Sequence, residues 1–263
     1  MGCSLAAQLT YEGCKSESSK SYQVGGWCFY YYYETTWADN SPSQDVAQSL
    51  CSPFGSIAVG VTYKLLNTLK NLTTTYVAAR PFAWLGLIRN TSYTDHKQGW
   101  LWNTLLPSGH YSTFPAIMSN MPWAKYTCIG TNCGEPNNDK GNEEAGMIIN
   151  KYGVADLQKN IPYSTYSSLP AAVICQFAAP SWSYTHRGTG RFTNPAYVVE
   201  QATCERLACL MKCHKSVFCV ALAFNSATSD CQIYGVSPED PRFSNEVTAN
   251  AQYDWHIRDG MEY

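Results

Sequence analysis

Three oxygen-bearing side chains lie close together in one polar stretch of the sequence, at Glu135, Asn137 and Glu143. Calcium binds about six to eight oxygens from carboxylates, amides and carbonyls, and flexible loops can supply them. The stretch therefore predicts a calcium-binding loop. The alternative is a solvated loop, in which the same Asn, Asp and Gly residues are ordinary turn formers.

Charge and hydropathy exclude several classes of protein. The 263 residues include 18 Lys and Arg and 20 Asp and Glu, for a net charge of −2. Because the chain has no Lys/Arg-rich block, we expect neither nucleic acid nor an anionic membrane surface as a partner. No stretch approaches the length of about 18 apolar residues that a membrane span needs.

Cysteine usage indicates an oxidising compartment. The 12 cysteines favour disulfides over zinc, because Cys204, Cys209, Cys213 and Cys219 lack the paired spacing of zinc ligands. N-glycosylation acceptor patterns begin at Asn71 and Asn90. The start of the chain has no signal-peptide pattern, so we expect that any signal peptide was removed or was never part of this chain. These features predict a secreted or extracellular protein.

The sequence divides near residue 180, where a short stretch without periodicity follows a Tyr- and Trp-rich part. The predicted segments are a tail at 1–13, a domain at 14–177, a linker at 178–184 and a domain at 185–263.

Local patterns predict the main elements of the first domain. The aromatic run 28–33 predicts a strand. An N-cap at Ser41 predicts a helix that ends near Cys51 and turns Val46, Ala47 and Leu50 inward. Leucines at helical spacing predict a second helix over 63–72. Further buried strands are predicted at 83–87, 147–149 and 172–175.

A series of short motifs runs through this domain: Trp37, the helix ending in Cys51, Trp84-Leu85-Gly86-Leu87, Trp100-Leu101-Trp102, Glu135-Pro136-Asn137, Glu143-Glu144, Asp156 and Val173-Ile174-Cys175. The series resembles a C-type lectin-like domain over roughly residues 14 to 177. The resemblance implies an α+β fold with two helices, small antiparallel sheets and a long loop.

The resemblance also implies disulfide pairs. It pairs Cys51 with Cys175 and Cys14 with Cys28. The second bridge of the family is missing, because Ala145 stands at one expected position and 157–163 supplies no cysteine for the other. We expect Cys128 and Cys133 to pair instead.

The lectin resemblance assigns a role to the polar loop. It implies that Glu135, Asn137, Glu143 and Asp156 bind both calcium and a mannose- or glucose-type sugar, with a cis peptide bond before Pro136. Ala155 departs from the pattern, since the family has an Asn ligand there, so calcium affinity should fall. Asn138 and Glu144 are candidates for an auxiliary ion site. Trp123 and Tyr126 are candidates for stacking on a sugar or for the core of the loop.

The second domain combines a cysteine-bearing helix with strand-like runs. The run 204–213 predicts a helix with Thr203 as a candidate N-cap, and 219–224 and 231–234 predict strands. This arrangement resembles a PAN/apple domain, a helix packed on an antiparallel sheet, and the resemblance implies the pairs Cys209–Cys231 and Cys213–Cys219. Cys204 then remains with Cys3, and we expect these two either to pair with each other or to join another chain.

Two functions from different classes fit the sequence. The first is a secreted carbohydrate-binding protein that depends on calcium, with glycans or glycoproteins as partners. The second is a calcium-independent structural or adhesive protein that binds other extracellular proteins, and either could form a disulfide-linked or homo-oligomeric assembly. We expect no enzymatic activity, because the five histidines lie in no recognisable catalytic motif.

Overall fold

The chain folds into two compact units, Met1–Gln23 with Trp27–Phe177 and Val24–Gly26 with Ala178–Tyr263. Both combine helix and sheet and contain disulfides, which confirms the predicted disulfide-rich α+β class. The segment boundaries that the sequence suggests, with a tail at 1–13 and a linker at 178–184, stay a prediction. The computed structural model describes residues 9–33, 42–52, 54–76, 82–125, 134–138, 141–149, 152–160 and 171–261.

The first unit consists of helices packed on a sheet. Its helices are α1 (Tyr11–Ser16), α2 (Gln44–Leu50) and α3 (Tyr63–Tyr76). Its strands are β1 (Ser21–Val24), β2 (Trp27–Tyr32), β3 (Ser56–Ile57), β4 (Phe82–Arg89), β5 (Trp100–Leu105), β6 (Tyr111–Pro115), β7 (Ala145–Ile149), β8 (Gly153–Leu157) and β9 (Ala171–Ala178). The sequence predicted two helices; α1 is an additional one.

The sheet order is β1-β2-β9-β4-β5-β6, with β7 paired to β4 and β8 paired to β7. The β4–β9 pair is parallel, with Trp84 opposite Val173, and the other pairs of described strands in this sheet are antiparallel where their register is known. Gly86 permits the close approach of β4 to β5, because a Cβ there would lie 2.7 Å from the carbonyl oxygen of Asn103. The branch through β7 and β8 carries the polar loop.

Helix α2 begins two residues later than the sequence predicts. Its N-cap is Ser43, whose hydroxyl accepts a hydrogen bond from the Val46 amide at 3.4 Å. The prediction that Val46 faces inward is wrong, because its side chain is 49% exposed. The inward positions include Gln44 and Gln48, which donate to the carbonyl oxygens of Leu85 and Asn103.

Two disulfides lie in the described part of this unit. Cys14–Cys28 joins α1 to β2, and Cys51–Cys175 joins the end of α2 to β9. They are the pairs implied by the lectin resemblance. Cys3, Cys128 and Cys133 lie outside the described residues, as do Trp37, Ser41 and Tyr126.

The second unit is a five-stranded sheet with a helix on one face. Its elements are β10 (Tyr184–Thr189), β11 (Arg191–Phe192), β12 (Val198–Thr203), α4 (Arg206–Lys215), β13 (Ala221–Asn225), β14 (Asp230–Tyr234), β15 (Val247–Thr248) and β16 (Tyr253–Arg258). The order is β10-β16-β13-β14-β12, and β11 pairs with β15. The bridges Cys209–Cys231 and Cys213–Cys219 hold α4, and they are the pairs implied by the PAN/apple resemblance.

The start of α4 differs from the sequence prediction. Thr203 ends β12, and the N-cap is Glu205. Cys204 therefore precedes the helix instead of lying in it, and it packs beside the cluster that contains Cys209 and Cys213. Among the described cysteines, Cys204 alone is in no disulfide. No helix in the described part of the chain is long and apolar enough to cross a membrane.

The Cys51–Cys175 bridge should contribute more stability than the Cys14–Cys28 bridge, because it closes a loop of 124 residues instead of 14. Chain entropy gives about 4.9 kcal/mol for the long loop and about 3 kcal/mol for the short one. We expect Cys51→Ala/Cys175→Ala to lower the free energy of unfolding by the larger amount in urea denaturation. An equal loss of stability in Cys14→Ala/Cys28→Ala and in Cys51→Ala/Cys175→Ala would contradict this.

Acid should destabilise the second unit through His256. This side chain is buried, and Arg206 Nη2 donates to its Nε2 at 2.7 Å. His186 faces it from β10 at 5.3 Å between ring centroids, and Asp254 lies 3.5 Å from His186. Burial first, then the charges of Arg206 and His186, lowers the pKa of His256 below its usual 6.5. The unfolded chain therefore takes up this proton first, so stability present above about pH 6.5 is lost as the pH falls below it.

We expect His256→Gln, which keeps an acceptor for Arg206, to reduce the loss of Tm between pH 7 and pH 5. The exposed His110→Gln should leave that loss unchanged. Identical Tm profiles for wild type and His256→Gln would rule out a contribution from His256. Some loss should remain in this variant, because burial and Arg258 also lower the pKa of His214.

Candidate functional site

Strand β8 positions the polar loop. The carboxylate of Asp156 accepts hydrogen bonds from the backbone amides of Asn137 at 3.1 Å and Asn138 at 2.9 Å. Asp156 is only 3% exposed, so these bonds hold the loop against the sheet without competition from solvent. The peptide bond between Glu135 and Pro136 is cis, as the resemblance implies.

The next segment folds back over the loop. Asn138 has a positive φ of 51°, and its side-chain oxygen accepts from the amide of Glu143 at 3.0 Å. The amide of Glu144 in turn donates to the carbonyl oxygen of Leu157. Asn138 thus links the loop to the chain entering β7. The sequence suggested an ion ligand at Asn138 and missed this role, although Asn in a turn is a usual signal for such a bond.

Three predicted ligands, Glu135, Glu143 and Asp156, interact electrostatically. Glu135 hydrogen-bonds Asp156 and is near enough to feel the charges of Asp156 and Glu143. Burial, these two neighbours and the hydrogen bond raise the pKa of Glu135 to about 9. Two carboxyl groups can share a hydrogen bond only when one holds a proton, so in this arrangement Glu135 is neutral at pH 7.

The carboxyl group is short of hydrogen-bond donors. Oε2 of Glu135 is buried, and among the described residues it has no hydrogen-bond partner. In the same part of the chain no basic side chain contributes to the charge environment of Glu135. The nearest ion pair is different: Glu144 lies 3.9 Å from Lys159. A buried carboxyl oxygen without a donor costs free energy, which a bound cation would offset.

The fourth predicted ligand, Asn137, joins the group through its backbone. Within the described residues, no three Asp, Glu, His or Cys side chains are already arranged around a point that could hold a metal. This fits the bonds just described, because the two oxygens of Asp156 are occupied by backbone amides. Side-chain rearrangement and the amide oxygen of Asn137 would be needed to complete a calcium site.

Ala155 does not face the loop. It pairs with Met147 across β7 and β8, is 2% exposed and belongs to the apolar core with Leu157. Neighbouring residues on a strand point to opposite faces, so Ala155 turns inward where Asp156 turns to the loop. The sequence treats Ala155 as a lost ligand, whereas here its methyl group is part of the core.

An aromatic pair lies beside the site. Trp123 forms a β-bridge with Val154, and its ring lies 5.2 Å from that of Trp100. The following residue, Ala124, accepts a hydrogen bond from the amide of Glu135 at 2.9 Å. Trp123 is half-buried, so it serves the loop core while keeping one part exposed. Both predicted glycosylation residues, Asn71 on α3 and Asn90 after β4, are exposed.

No protein-family model matches the chain, and no curated protein matches it significantly. Solved structures similar to it include the C-type lectin CEL-I from Cucumaria echinata, with 13% identity over 60% of this chain and 94% of that chain and a TM-score of 0.34. The mouse scavenger receptor C-type lectin carbohydrate-recognition domain has 15% identity over 62% and 97%, with a TM-score of 0.38. Human lithostathine has 12% identity over 60% and 88%, with a TM-score of 0.37. Because these identities and TM-scores are low, the description of the fold rests on the strand order and disulfides of the chain itself.

Replacing Ala155 with Asn should not restore a ligand. Because the side chain at this position lies in the core, an amide there would be buried without partners, and we expect a loss of about 1–3 kcal/mol in the free energy of unfolding. Urea denaturation measures the loss, and Ala251→Asn at an exposed turn is the matched control. Unchanged stability together with tighter calcium binding would instead place residue 155 at the ion.

Proposed function

We propose that the chain is a secreted carbohydrate-binding protein whose first unit is a C-type lectin-like domain. The observation that carries the proposal is the pairing of the Glu135 and Asp156 carboxyl groups within electrostatic range of Glu143, with a buried oxygen of Glu135 left without a donor among the described residues. The disulfides Cys14–Cys28 and Cys51–Cys175 and the cis bond before Pro136 support the lectin-like fold.

Calcium suits this group of oxygens. Glu135, Glu143 and Asp156 would supply carboxylates and Asn137 an amide oxygen, a hard donor set that calcium prefers. When bound, calcium would coordinate two neighbouring hydroxyl groups of a sugar. The same side chains would orient the sugar by accepting its hydroxyl protons or donating from the amide. The Glu-Pro-Asn order supports a mannose- or glucose-type preference by resemblance.

The second unit supports an extracellular adhesive protein. Its helix is held on a five-stranded antiparallel sheet by two disulfides, which supports a PAN/apple-like domain as the proposal for this unit. Such a domain would add a binding surface for glycoproteins or other extracellular proteins. Cys204 would join Cys3 or another chain, and glycans at Asn71 and Asn90 would extend from exposed positions.

A second candidate function is calcium-independent binding of extracellular proteins. Two observations favour it: Ala155 lies in the core in place of a fifth ligand, and the oxygens of Asp156 are already occupied by backbone amides. In that case the loop would be a rigid protein-binding surface. Calcium dependence separates the two functions.

Calcium should stabilise the chain through Glu135. Extracellular calcium modules have Kd values of about 10⁻⁴ to 10⁻³ M, so about 10 mM calcium would add about 1.4–2.7 kcal/mol of stability and raise Tm by several degrees. Glu135→Gln keeps a donor toward Asp156 and should leave Tm in EDTA nearly unchanged while abolishing the calcium-dependent rise. Differential scanning calorimetry measures both effects.

Glu12→Gln is the control, because Glu12 is an exposed glutamate on α1 that pairs with Lys15 and has no predicted role at an ion. This control variant should show the same calcium-dependent rise in Tm as the wild type. In the presence of calcium it should also bind immobilised mannose and be eluted by EDTA or free mannose. An absent calcium shift in the wild type would support the calcium-independent function. A shift without retention on mannose would refute the sugar preference.

A further inference from the structure

The second unit contains an open cavity of about 380 Å³. Residues of β11, β12 and the short 3₁₀ helix Pro195–Tyr197 line it, with Gln232 of β14 at its base. Small-molecule sites usually measure about 300–1,000 Å³. The cavity therefore has the size for one sugar residue or a similar small ligand.

The charges of the cavity are unbalanced. Glu200 in its wall is neutralised by Lys212, whose Nζ lies 2.5 Å from its carboxylate. Arg191 in the wall donates to the hydroxyl of Tyr253 at 3.4 Å and lies over its ring at 5.2 Å. Among the described residues, Arg191 pairs with no carboxylate. Its half-buried guanidinium is a fork of donors that suits a bidentate carboxylate.

A second acidic group, Asp230, lies on the other side of the Tyr253 hydroxyl and forms no ion pair with Arg191 among the described residues. Asp230 accepts hydrogen bonds from Gln201 at 2.9 Å, from Gln232 at 3.2 Å and from the hydroxyl of Tyr253 at 2.5 Å. These donors occupy its oxygens and orient the two amides. Gln201 is exposed, and within the described part of the chain its amide oxygen accepts no hydrogen bond. This oxygen is therefore available to accept a hydrogen bond from a hydroxyl group of a ligand.

Part of the remaining wall is apolar. Pro195 and Val198 present hydrocarbon surface near Arg191, whereas Phe192 is buried behind the lining. An inorganic anion would leave this surface in contact with water, whereas a sugar ring would cover it with its C–H face. The ligand chemistry that matches all three parts of the wall is a carboxylate, hydroxyl groups and a small hydrocarbon face.

We propose that this cavity binds an acidic monosaccharide unit, such as a hexuronate, with its carboxylate paired to Arg191 and a hydroxyl group donated to Gln201. The site lies within the second unit and uses no calcium. It is therefore independent of the proposed calcium site and can be tested in EDTA.

The test is a titration of the full chain with galacturonate, galactose and acetate in EDTA, followed by ligand-observed NMR. We expect galacturonate to bind at least about tenfold more tightly than galactose or acetate, since a charge-assisted pair is worth that factor or more. Arg191→Gln should weaken galacturonate binding at least about tenfold. Arg187→Gln removes an exposed arginine on β10 outside the cavity and should bind as the wild type does.

Amide chemical shifts provide a measurement that does not depend on the variants folding. Galacturonate should shift the amides of residues 191–193 and 198–201 in the wild type, and Gln201→Ala should weaken binding with unchanged Tm. Shifts confined to other residues would overturn the proposal, as would equal affinities of Arg191→Gln and Arg187→Gln. If galactose binds as tightly as galacturonate, the carboxylate does not contribute to recognition. If acetate binds as tightly as galacturonate, the sugar ring does not contribute.

Discussion

The polar loop of the first unit depends on the carboxylate of Asp156. This buried side chain accepts two backbone amides from the loop, and the strand that carries it pairs with β7. Charge-assisted bonds in a buried place are stronger than the same bonds in water. The loop therefore takes its position from the sheet, although its own sequence is polar and rich in turn formers.

The same anchoring creates the electrostatic problem at Glu135. Asn137 and Asn138 are fixed to Asp156, and Glu135, two residues before Asn137, has its carboxyl group hydrogen-bonded to that of Asp156. Two carboxyl groups at this distance cannot both be charged without a cation, so Glu135 is held in the neutral form. The energy that a cation would recover is thus set by the backbone geometry of the loop as much as by the number of acids.

The sequence predicts most elements and the general place of the site, because these depend on local patterns. The buried aromatic run of β2 and the leucines of α3 follow from side-chain periodicity. The inward glutamines of α2 do not, since Gln44 and Gln48 are buried by pairing with carbonyl groups of β4 and β5, far away in the chain. Likewise, the motif comparison places Ala155 at an ion, and only strand alternation beside Met147 shows that it faces the core. The start of α4 was also missed, because the pairing of β12 extends to Thr203.

The two units have opposite charge imbalances, and this determines what each can bind. In the first unit, Glu135 lies beside Asp156 with one buried carboxyl oxygen that has no donor among the described residues, so a bound cation would satisfy it. In the second unit, Lys212 and the donors around Asp230 satisfy the acids, and Arg191 is left with excess positive charge beside an apolar wall. A neutral sugar hydroxyl pair suits the first site only through an ion, whereas a carboxylate can bind the second directly. The two proposed sites are therefore chemically distinct, and the acidity of the sugar is the property that separates their proposed ligands.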